Sequence, residues 1–132
     1  MITRTTSSLP PELDELIERV IGCLIDVHRQ LGPGFLERAY HQATCVELSA
    51  RSIPFEEERA VDVIYRGQRI LGQRLDLLVD GCLVLELKAV ARLEPIPVSQ
   101  LVSYLTASGL RAGLLVNFNV PQLRNGIRRV VR

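Results

Sequence analysis

The chain has 132 residues, 47% hydrophobic and 23% charged, with 16 basic against 15 acidic side chains. This balance describes one soluble domain, too apolar for a disordered polypeptide. No stretch approaches the roughly 18 to 20 apolar residues that would cross a bilayer. A membrane role is therefore not expected, and a net charge of +1 offers no global attraction for nucleic acid.

Residues 1–11, polar and ending in Pro10-Pro11, lack the apolar stretch and cleavage site of an export signal and read as a flexible lead-in to a single domain over 12–132. Cys23, Cys45 and Cys82 are odd in number, sit among apolar neighbours and lack the C-x-x-C spacing of a zinc site, so they read as buried free thiols of a cytoplasmic protein.

Leu13, Leu16, Ile17, Val20, Ile21, Leu24, Val27 and Leu31 recur at helical spacing, with Pro10-Pro11 at the start and Gly32-Pro33-Gly34 at the end. His28 lies on the mostly apolar face and reads as a packed core residue. A second helix is predicted from Phe35, Leu36, Ala39, Tyr40, Ala43, Val46 and Ala50, closed by Ser52-Ile53-Pro54. The pattern then switches to strands over Arg59–Arg66, Arg69–Val79 and Cys82–Val90, turned at Gly67-Gln68 and Asp80-Gly81. Pro95-Ile96-Pro97 opens a helix that Gly109 ends. The unbroken apolar run Leu114–Phe118 suits a strand buried on both faces, crossing over in parallel from the third strand. Val120–Arg132 stays open between strand and short helix.

Fifteen of the 16 basic residues are arginine, and Lys88 is the one lysine. A compact ammonium fits beside a metal-held water where a planar guanidinium does not, which makes Lys88 a candidate for chemistry. It lies in Glu86-Leu87-Lys88 on the third strand, with Asp76 on the second. A two-residue loop of Asp80 and Gly81 would put Asp76 and Glu86 on opposite faces of the sheet. A three-residue loop over Val79–Gly81, a type I turn with Gly81 left-handed in a bulge, gathers Leu71, Leu75, Leu77 and Val79 with Leu83, Leu85, Leu87 and Ala89 on one face. The same register collects Arg74, Asp76, Glu86 and Lys88 on the other, with Arg74 opposite Glu86 and Asp76 one diagonal step away. Such a cluster reads either as plain ion pairs or as hard oxygen donors holding Mg²⁺ with the backbone carbonyl of Leu87.

Asp76, then Glu86-Leu87-Lys88 on the next strand of an α-β-β-β-α-β order, resembles the PD-(D/E)XK nuclease superfamily. Gly34-Phe35-Leu36-Glu37-Arg38-Ala39-Tyr40 matches the signature of its GxxExxY family, and the resemblance covers nearly the whole chain. Leu75 stands where the name-giving proline would be. The resemblance implies an α/β, restriction-endonuclease-like core with a mixed four-stranded sheet flanked by helices and an extra N-terminal helix. It implies Asp76 and Glu86 as metal ligands, Lys88 as the water-activating residue, Glu37 as an extra acid near the metal and Gln100 as a polar residue near water or phosphate.

The expected activity is Mg²⁺-dependent hydrolysis of phosphodiesters in DNA or RNA, with Mn²⁺ as an alternative ion. Arg74, Tyr104, Arg128 and Arg129 are candidates for holding the substrate; the last 22 residues carry five arginines and no acid. Small members of this fold often dimerise, so a homodimer is expected. The competing expectation is an inactive nucleic-acid-binding or partner-regulated module of the same fold.

Overall fold

The computed structural model describes residues 9–132. Helix α1 spans Pro11–Leu31 and α2 spans Glu37–Ala50. Strands β1 (Phe55–Tyr65), β2 (Gln68–Val79) and β3 (Leu83–Lys88) form a meander; α3 (Pro95–Ser108) leads to β4 (Ala112–Asn117) and, after a 3-10 turn at Leu123–Gly126, to β5 (Ile127–Val131). The sheet runs β1-β2-β3-β4-β5, with β3 and β4 parallel and the other pairs antiparallel. This is the expected mixed α/β architecture, consistent with a restriction-endonuclease-like fold.

The sheet has five strands where four were expected. Residues 127–131 are too short and too arginine-rich to announce a strand, yet they cover the otherwise open edge of β4, with Ile127 opposite Val116 and Val131 opposite Ala112. Arg129 is held there by Asp14 of α1 at 2.6 Å, its side chain only 8% exposed.

Most of residues 1–11 lies outside the described residues, but its inner end departs from a lead-in. Pro11 is the first residue of α1, where a missing N–H costs nothing, and Leu9 is buried in the core. Acids in the first turn of α1 and Arg29 in the last complement the helix dipole. His28 is buried as expected, its Nε2 2.8 Å from the Val120 carbonyl.

Two apolar layers sandwich the sheet. Leu77, Val79, Leu83, Leu85, Leu87, Leu114 and Val116 pack with α1 and α2, whereas Leu78, Val84, Leu115 and Val130 pack with Leu101 and Leu105 of α3. The buried side of α2 is Tyr40, Thr44 and Leu48, while Phe35, Leu36 and Val46 are exposed. The predicted apolar face of this helix is thus corrected: α2 begins at Glu37, and its orientation is set by Tyr40, which stacks on Phe118 at 4.4 Å between ring centroids.

Candidate active site

The site forms where β2 and β3 stop pairing. Regular register holds Leu77 opposite Leu85, Leu78 opposite Val84 and Val79 opposite Leu83. Asp80 and Gly81 both have positive φ, at 51° and 68°, and the Cys82 N–H donates to the Val79 carbonyl, so the loop is Asp80–Cys82. The parity expected from the leucines is correct, but the register is displaced by two residues from the expected one: continuing it sets Asp76 opposite Glu86, and Arg74 no longer faces Glu86. A left-handed Asp80 preceding Gly81 moves the turn one residue along, a change that leaves every leucine parity intact.

Beyond Leu77 the backbone ladder gives way to side chains. The Leu87 N–H donates to Asp76 Oδ2 at 2.8 Å, and the Asp76 N–H donates to Glu86 Oε1 at 3.2 Å. The strands part, and each carboxylate satisfies a backbone donor that the ladder would have used. Leu75 belongs to the α3 layer although Leu77 and Val79 belong to the α1 layer, so the expected alternation along β2 breaks at Asp76. The outer neighbour breaks there too: Glu58, between Glu57 opposite Leu77 and Arg59 opposite Leu75, has a φ of 52°. Further out, at Gly72, a Cβ would stand 2.2 Å from the Val61 carbonyl oxygen, so only glycine fits this irregularity in the β1–β2 pairing.

The electrostatics follow from this crowding. Burial, then the Asp76 charge beside it, pushes the Glu86 carboxyl up to about 8, against partial relief from the Asp76 N–H and from Lys88. Glu37, the first residue of α2, is also raised, by burial and then by Asp76, and is also within reach of Lys88. Glu37 and Glu86 therefore share one lysine, and both feel the charge of Asp76. Glu37 and Asp76 line a cleft of about 480 Å³ with Arg38, His41, Gln42, Glu57 and Glu58.

Loop chemistry places Glu37. Gly34 has a φ of 107°, a region that a side chain disfavours. The buried Tyr40 hydroxyl donates to the Gly32 carbonyl at 2.5 Å and accepts from the Phe35 N–H at 3.2 Å. Glycine and tyrosine thus shape and pin the loop that delivers the glutamate between them.

The structure gathers Asp76, Glu86, Lys88 and Glu37. Tyr104 of α3 joins from the other layer: burial and Glu86 raise its hydroxyl, which donates to Gln73. Gln73 was missed by sequence reasoning, and only the glycine before it hinted at an irregular strand. Arg74 and Gln100 are exposed on β2 and α3. Arg128 is opposite Leu115, which is opposite Glu86, placing it in the same row two strands away, about 10 Å. Arg129 is not brought to the site, being committed to Asp14.

The sequence profile of the PD-(D/E)XK nuclease superfamily matches residues 14–130. The chain belongs to that superfamily. No curated protein and no solved structure matches it. Membership in the PD-(D/E)XK superfamily indicates nuclease-type phosphodiester hydrolysis with a nucleic-acid substrate, and nucleases of this superfamily generally use divalent metal ions. Among the described residues, no helix is long and apolar enough to cross a membrane.

Proposed function

We propose that the protein is a nuclease of the GxxExxY type that cleaves DNA or RNA phosphodiesters with Mg²⁺, or Mn²⁺ in its place, held by Asp76 and Glu86. The observation that carries this reading is the parted ladder, which sets two carboxylates face to face beside the chain's one lysine. The donor set fits a hard divalent cation: the two acids are crowded enough to raise Glu86, and all their ligand atoms are oxygen. In an extended strand the N–H and C=O of one residue point to the same edge, so the Leu87 carbonyl faces the gap that its N–H already spans. Glu37 stands ready as a further acid or as an acceptor for water near the ion.

A bound divalent ion supplies charge neutralisation for the pentavalent phosphoryl transition state and for the leaving oxygen. The chain's own groups do the rest. Lys88, flanked by Glu37 and Glu86, holds and orients the attacking water. Glu37 accepts a hydrogen bond from it, and Tyr104 and Gln73 border the site from the α3 side. Exposed Arg74 and Arg128 would contact substrate phosphates, and exposed Gln100 would make a water-mediated contact. Exposed Val63, Ile64, Tyr65, Ile70 and Leu71 on the outer hairpin support pairing with a second copy; mass measured against concentration tests this.

Purified protein incubated with labelled DNA and RNA should produce fragments with Mg²⁺ or Mn²⁺ and none with EDTA. Lys88→Ala should cleave at least about 10²-fold more slowly with either ion while retaining the wild-type circular dichroism spectrum. Cleavage undiminished in Lys88→Ala rejects this mechanism; metal binding without cleavage of any substrate favours the inactive binding module.

A further inference from the structure

A second group of ligating atoms borders the same cleft and plays no part in the proposed hydrolysis. His41 and Cys45 are four residues apart, one turn along α2, and therefore share a face. Glu57 of β1 reaches them from the sheet. Its Oε1 lies 2.9 Å from His41 Nε2 and 3.5 Å from Cys45 Sγ, and the ligand atoms of all three residues lie within 4.8 Å of one another. Tetrahedral zinc, with bonds of about 2.0 to 2.3 Å, needs ligand atoms about 3.3 to 3.6 Å apart. The sulfur–oxygen separation already meets this, and the nitrogen–oxygen pair would open by a few tenths of an ångström.

An imidazole–carboxylate pair would account for two of these residues, but it leaves the cysteine without a purpose. Burial and then Glu57 push the Cys45 thiol up to about 12, so the sulfur stays protonated while no cation is near. A borderline or soft cation reverses that balance by displacing the thiol proton to solvent and taking up the thiolate. The two clusters also differ in kind. Asp76 and Glu86 offer oxygen only, whereas His41, Cys45 and Glu57 offer nitrogen, sulfur and oxygen, a set that Mg²⁺ does not favour and zinc-class ions do.

We propose that His41, Cys45 and Glu57 form a second, zinc-class transition-metal site that clamps α2 to β1 beside the carboxylate cleft, with one coordination position left open. Its occupancy fixes the helix that carries Glu37 and the strand residue before Glu58, the two elements that flank Asp76. The site does not depend on the hydrolytic reading.

Cobalt provides a test independent of activity, because thiolate bound to Co²⁺ gives a near-ultraviolet charge-transfer band that oxygen-only ligation does not. Metal-free protein should develop this band to a limit of one Co²⁺ per chain and lose it on addition of Zn²⁺. Asp76→Asn should keep the band, Cys45→Ser should lose it, and Glu57→Gln should weaken cobalt binding roughly tenfold or more. Absence of the band at saturating cobalt, or its persistence in Cys45→Ser, overturns the proposal. Should Cys45→Ser fail to fold, undiminished binding by Glu57→Gln, altered only at an exposed carboxylate, overturns it instead.

Discussion

From Leu77 and Leu85 to the turn, β2 and β3 pair regularly and bury every side chain, whereas one residue further the carboxylates of Asp76 and Glu86 occupy the backbone donors. The two ends of one strand pair thus serve different ends. The closed end stores stability in leucines that fix the register; the open end spends ladder bonds to put like charges together. Burying the first fixes the second, because the register that hides Leu77, Leu83 and Leu85 also sets Asp76 opposite Glu86.

Variants at the two ends should therefore separate activity from stability. The largest effect is expected at the open end: Lys88→Ala should lower Mg²⁺-dependent cleavage by about 10² to 10⁴-fold, the range for a positioned proton-handling group. Its urea midpoint should stay near wild type. Asp76→Asn should lose cleavage as well, since it removes one of the two proposed anionic ligands. At the closed end, Leu85→Ala, at a fully buried position, should cost about 2 to 5 kcal/mol in urea unfolding. Residual folded enzyme should keep its turnover per folded molecule. A result in which Leu85→Ala abolished turnover without loss of stability would erase the distinction between the two ends.

Addition of metal should join the two ends. Mg²⁺ at about 100 times its dissociation constant should stabilise the wild type by about 2.7 kcal/mol and Asp76→Asn far less, read as a shift in melting temperature. The pH dependence has a definite sign. Glu86 is raised to about 8 in the folded protein, from an ordinary carboxyl value of about 4.3 in the unfolded chain, so the folded state binds this proton more tightly. In EDTA, stability should fall as pH rises from about 4 towards 8, and Glu86→Gln should flatten that slope. The smallest effect is expected at the loop that delivers Glu37. Gly34→Ala, forced into a left-handed φ of 107°, should lose about 1 to 2 kcal/mol and displace the glutamate, lowering cleavage more than stability.

Much of this was legible in the sequence because apolar periodicity reports burial directly. It located α1 and α3, and it chose the parity that unites Asp76 with Glu86. Parity does not fix register, however: the left-handed Asp80 moved the pairing by two residues while Leu77, Val79, Leu83, Leu85 and Leu87 kept one face, and Leu75 crossed to the α3 layer and Leu71 became exposed beyond the break at Asp76. Helix α2 misled because Phe35, Leu36 and Val46 are exposed while Thr44 is buried, an orientation set by the stacking of Tyr40 on Phe118 rather than by hydropathy. β5 was hidden because five residues with two arginines become a strand only when β4 offers an edge. Glu57 could not be linked to His41 and Cys45 from spacing, since the contact crosses from helix to sheet.

The parted strands also bear on how such a small domain can be fitted to a target. Its mouth is part of the sheet itself, where β2 and β3 stop pairing beyond Leu77 and Leu85. The turn at Arg66-Gly67, at the far tip of the outer hairpin, lies well along the chain from the carboxylates. A recognition segment grafted there would change what the domain touches while leaving the spacing of its acids unaltered.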